Sequence, residues 1–154
     1  MTSTTQAREQ RWKYPAIIQN VELVCLMAAH ILDEYPFQKK DRFAVELLLR
    51  ESLNNALLHG CHQNPLLAFS CNLTVSNREV IIEVSDEGSG FDWRSKPKTL
   101  PEKSIETGRG LYIYAIYANL TKFNDAGNCV TLTRNICETP LANAQNSGQG
   151  DVND

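Results

Sequence analysis

At 154 residues the chain fits one domain better than two, and it is long enough to bury a core without disulfides or a structural metal. Its composition, 42% hydrophobic and 21% charged, is ordinary for a soluble globular protein. With 15 basic and 18 acidic side chains the net charge is −3, which argues against the basic footprint of a nucleic-acid binder.

In chain order, residues 1–9 are polar and are expected to fray, and residues 11–18 suggest a short edge strand interrupted by Pro15. From residue 20 to residue 34, Val21, Val24, Cys25, Ala28, Ile31 and Leu32 recur with a helical period, and Pro36 stops the helix. A second helix is predicted over residues 38–60, with Gly60 as its stop. The period then changes. Residues 67–76 and 78–85 alternate apolar and polar side chains about a Ser76-Asn77 turn, which predicts a β-hairpin. A glycine-containing loop covers residues 86–91, and residues 92–107 form a polar segment with two prolines. A third helix is predicted over residues 109–119, opened by Gly108-Arg109-Gly110. A second hairpin turns at Asp125-Ala126-Gly127, and residues 138–154 read as a disordered tail. Helices, hairpin, late helix and hairpin together predict an α+β, two-layer sandwich, with one folded domain over residues 10–137.

The five cysteines (Cys25, Cys61, Cys71, Cys129, Cys137) are odd in number and form no CxxC pair, so reduced thiols in a cytoplasmic interior are expected. No apolar signal-peptide core is present near the N-terminus. The longest apolar stretch, residues 21–32, carries Glu22 and His30 and is too short to cross a bilayer. His30 and His62 show no metal-ligand spacing, and Tyr112, Tyr114 and Tyr117 read as helix packing.

Three places fit chemistry better than packing. On the second helix, Glu51 and Asn55 lie one turn apart, about 40° from each other around the axis. They share a sector with Ala44, Leu48 and Leu58, while Arg42, Glu46 and Arg50 point the other way. A carboxylate and a carboxamide on an apolar face need polar partners. Next, Asp86-Glu87-Gly88-Ser89-Gly90 follows a strand. There a carboxylate can accept hydrogen bonds from a ligand amine, and the glycines let backbone approach closely. Third, Gly108-Arg109-Gly110-Leu111 opens a helix whose free N–H groups favour phosphate. Taken singly, each has a plainer account: a helix-surface pair or core network, an ordinary turn, a glycine-rich connector. Neither a P-loop nor a complete GxGxxG is present.

In this order the three motifs resemble those of the GHKL (Bergerat-fold) ATPase superfamily. Within it the chain is most similar to bacterial anti-sigma-factor serine-protein kinases, over about residues 15–136. The resemblance implies a Bergerat ATP-binding fold with a mixed sheet. Carried onto this chain, it makes Glu51 the general base and Asn55 a ligand of Mg²⁺, and sets Asp86 on the adenine amino group. Gly88 and Gly90 belong to the same D-x-G-x-G strand end, Gly108, Gly110 and Leu111 would lie next to the triphosphate, Arg109 could add charge to that phosphate site or point to solvent, and residues 92–107 would be the ATP lid. His59 could reach phosphates or lid, or simply favour a helix C-terminus.

The function so implied is an ATP-dependent serine kinase that binds a sigma factor and phosphorylates a STAS-domain antagonist in a partner switch. A non-catalytic, ATP-dependent regulatory binding module of the same fold is the alternative. A homodimer is left open; nucleic acid and membrane are not expected as partners. The catalytic domain of a two-component kinase is disfavoured, because only about 40 residues precede the second helix. A repair or topoisomerase ATPase would need a transducer domain that a chain of this length does not hold.

Overall fold

The computed structural model describes residues 6–94 and 106–137. Five strands, β1 (Arg8–Pro15), β2 (Ala68–Val75), β3 (Glu79–Asp86), β4 (Leu120–Phe123) and β5 (Cys129–Asn135), form one sheet in the order β1-β2-β3-β5-β4. Helices α1 (Ile18–Leu32), α2 (Lys39–Asn55) and α3 (Glu106–Tyr117) pack against it. The α+β, two-layer sandwich is thus observed. The sheet differs from the mixed one expected: every pairing is antiparallel. The crossover through α3 does set β4 parallel to β3, but β5 turns back between them and separates the parallel pair.

Side-chain alternation decides which face is covered. One cross-strand row runs Trp12, Cys71, Val84, Val130, Phe123; the next contains Leu73, Ile82 and Leu132. These side chains point at the helices and, Phe123 excepted, are buried with Val21, Val24, Leu48, Leu49 and Leu53. Each large aliphatic removed from water contributes roughly 1.5–3 kcal/mol before entropy is counted. The opposite face carries Glu9, Arg11, Asn72, Glu83 and Thr131. There Arg11 pairs with Glu9 at 2.8 Å, and Asn72 donates to Glu9 at 3.2 Å. A face so polar can remain uncovered.

The boundaries correct the sequence reading in four places. The edge strand begins at Arg8, and Pro15 ends it rather than interrupting it. Arg8 and Glu9 are therefore paired, not frayed. Second, α1 starts two residues early, at Ile18. Third, α2 does not run uniformly to Gly60: it widens into a π-helical turn over Ala56–Gly60, with Cys61 N–H donating to Ala56 C=O at 2.8 Å. The wider turn shifts the phase, so Leu58, placed on the apolar face by a uniform 100° step, is 38% exposed. Fourth, α3 begins at Glu106, which puts Gly108 and Gly110 inside the helix rather than before it. The expected tail lies outside the described residues, as do residues 1–5 and most of the expected lid.

All five cysteines are free thiols. Burial pushes Cys71 up to about 12, and raises Cys25, Cys61 and Cys129 as well, so these thiols stay protonated at neutral pH. No helix among the described residues is long and apolar enough to cross a membrane.

Candidate nucleotide site

A cavity of about 190 Å³ opens between the end of α2, the end of β3, α3 and the β4–β5 hairpin. Asn55, Asp86, Gly90 and Leu111 line it, as do His59 and Gly60 of the π-helical turn. Three separate stretches of chain, chosen on motif alone, therefore meet at one place. The π-turn makes this geometry: immediately after Asn55 it swings His59 and Gly60 towards the end of β3.

Backbone encloses the Asp86 carboxylate. A Cβ on Gly60 would strike the carboxyl group itself, and one on Gly88 would meet the Gly60 carbonyl. Only glycine fits at either position. Asp86 Oδ1 accepts the Gly88 N–H at 2.8 Å, and Asp86 N–H donates to the Asn128 carbonyl at 3.0 Å. Burial pushes the carboxyl above its ordinary value, against the pull of the Gly88 N–H and of nearby His62. A half-buried carboxylate with one oxygen engaged suits an amine-bearing planar ligand. Gly90 is left-handed (φ 84°), and its α-carbon lies against the Ala126 carbonyl, which ties this turn to the far hairpin.

The α2–α3 contact arranges the other residues. Asn55 Nδ2 donates to the Tyr114 hydroxyl at 3.0 Å, and Gly110 packs directly on that same nitrogen. Glu51, one turn earlier, is not in the cavity wall. Its carboxylate, 14% exposed, lies 3.3 Å from the guanidinium of Arg109, which is 62% exposed. Arg109, for which the sequence left a phosphate role or a solvent-facing one open, is 62% exposed and paired with Glu51, and Gly108 lies in the first turn of α3.

An aromatic wall was not anticipated. Phe91 and Phe123 meet edge to face at 5.4 Å, and Trp93 stacks on Phe123 at 5.2 Å. Trp93 Nε1 donates to the Asn124 carbonyl, Arg94 covers the Trp93 ring at 4.4 Å, and Arg94 reaches Asp125 at 3.1 Å. The chain leaving the Asp86 turn is therefore pinned to the β4–β5 hairpin as far as Arg94. Tyr114 was assigned to packing. It is buried, but its position four residues after Gly110, on the same helix face, was a usable signal that it would meet Asn55. Asn128, Cys129 and Val130 also line the cavity, and no local pattern marked them.

A carboxylate at the end of a central strand, a carboxamide on the neighbouring helix and glycine at each close backbone approach define a nucleotide-binding α+β domain. The sequence profile described as "Histidine kinase-like ATPase domain" matches residues 14–134. The chain belongs to that family. A search of curated proteins returns no match.

Proposed function

We propose that the protein is an ATP-dependent serine kinase of the anti-sigma-factor type, which phosphorylates a STAS-domain antagonist and binds a sigma factor in a partner switch. The single observation that carries the catalytic part is the spacing of Glu51 and Asn55, one turn apart on α2, with Asn55 in the wall of the cavity that Asp86 also lines. Asp86 would accept the adenine amino group, with Phe91 and Phe123 against the base. Mg²⁺, when bound, would neutralise the phosphates during transfer. Asn55 is the residue that would hold it. Among the described residues no group of three or more His, Cys, Asp or Glu converges on a metal position, so phosphates and water would supply the other ligands.

Glu51 would take the proton of the incoming serine hydroxyl as its oxygen bonds to the γ-phosphorus and the β–γ bridging bond breaks, releasing ADP. Arg109 lies where it can hold the carboxylate in place or exchange it for a phosphate. Incubation with γ-labelled ATP and STAS-domain proteins tests this: label on a serine of the antagonist, lost in Glu51→Ala, is the expected result. No transfer to any such protein would refute the kinase reading.

One observation favours the alternative, a regulatory module that binds ATP without transferring phosphate. The carboxylate proposed as the base is engaged by Arg109. Under that reading Glu51→Ala leaves ATP binding and partner capture intact, and no labelled protein appears.

A further inference from the structure

Tyr114 has no role in the chemistry above, yet its hydroxyl is the polar group that meets Asn55. The ring is 3% exposed and sits beside Phe123 at 6.4 Å, so the hydroxyl is delivered from a fixed direction.

A carboxamide has two unlike ends, and only its oxygen can bind a hard cation. Both α3 contacts fall on the nitrogen end. Tyr114 Oη takes the Nδ2 proton at 3.0 Å, and the position of a Cβ on Gly110 would lie closer to Nδ2 than to Oδ1, which is 3.5 Å away. Rotating the amide by half a turn would offer an NH₂ group to the cation instead. We infer that Tyr114 is a positioning residue, whose hydroxyl holds the donor end of Asn55 so that Oδ1 is presented to the divalent cation accompanying the nucleotide. The inference rests on the Mg²⁺·ATP reading of the site, but it concerns the orientation of one side chain and can fail separately.

The test compares ATP affinity in Mg²⁺ and in EDTA, by calorimetry, for the wild type, Tyr114→Phe, Asn55→Ala and the double variant. The wild type is expected to bind ATP more tightly with Mg²⁺. Tyr114→Phe keeps the ring and should leave affinity in EDTA within about twofold while losing about 3- to 10-fold of the Mg²⁺ enhancement, the range expected for one neutral hydrogen bond. On the Asn55→Ala background the same change should do nothing more. A Tyr114→Phe protein with the full Mg²⁺ enhancement overturns the inference. So does an equal loss with and without the cation, which would mean that Tyr114 only shapes the cavity.

If Tyr114→Phe does not fold, the wild type still decides. In amide NMR one Asn55 Nδ2 proton, assigned by its absence from Asn55→Ala, should exchange slowly with solvent. Fast exchange of both protons overturns the inference. If the wild type binds no ATP at all, the functional reading fails instead, and the exchange measurement still reports on Tyr114 and Asn55.

Discussion

Two carboxylates of helix α2, Asp41 and Glu51, lie ten residues apart, and their pairs with arginine are built in opposite ways. Near its start Asp41 is fully buried and takes Arg134 Nη2 at 2.9 Å, Arg134 Nε at 3.3 Å and the Cys137 N–H at 3.1 Å. Arg134 is itself held by the Tyr117 carbonyl at 3.0 Å, so α2, α3 and β5 are joined at one point. Near its end Glu51 has one long contact, to an arginine that is mostly in water. The first pair is satisfied from several directions and has nowhere to go. The second is a single 3.3 Å contact to an exposed guanidinium, the weaker of the two. One end of the helix holds the fold, and the other is the end to which the proposed chemistry is assigned.

Breaking the first pair should have the largest effect. Arg134→Ala leaves a buried carboxylate with only a backbone N–H, and stability should fall by about 3–5 kcal/mol, read as a lower urea midpoint with unchanged slope. At the other end, Gly60→Ala drives a methyl group into the Asp86 carboxylate. Displacing a charged hydrogen-bond partner of the nucleotide is worth about 1.5–3 kcal/mol, so ATP affinity should drop roughly 10- to 100-fold. A titration of that variant with unchanged affinity would separate Asp86 from the nucleotide.

The pH dependence follows from the raised Asp86 carboxyl. A folded value above the ordinary 3.8 means that its contribution to stability is complete below that pH and is lost as pH rises through the folded value. Towards neutral pH the carboxylate is thus a liability to the fold, which the proposed contact with the adenine amino group would offset. ATP affinity should weaken on acidification while the pH is still above 3.8, and Asp86→Asn should remove that dependence. Smallest of all, Arg109→Ala should change stability by less than about 1 kcal/mol, because the contact is a single long one and its arginine is 62% exposed. A larger loss in thermal unfolding would mean that the two ends of α2 are not so different.

Much of this was legible in the sequence. The alternation in β2 and β3 and the helical period of α1 survived because their apolar faces are continuous. β1 was placed late because, of the side chains it turns inward, only Trp12 and Tyr14 are apolar. The start of α3 was misplaced for a different reason. Two glycines are poor helix formers, and propensity reads them as a loop. Tertiary contact overrides it, since at Gly110 a side chain would collide with Asn55. Asn55 and Asp86 were found from motif spacing. Phe91, Tyr114, Phe123 and Asn128 were not, because they reach the cavity through contacts between distant stretches of chain.

The most direct test of the central claim is calorimetric titration of ATP into the wild type and Asp86→Asn. The wild type should bind, and Asp86→Asn should be folded, no less stable at neutral pH, and weaker for ATP by about 10- to 100-fold. A wild type that does not bind ATP, or an Asp86→Asn protein that binds it equally well, would contradict the account.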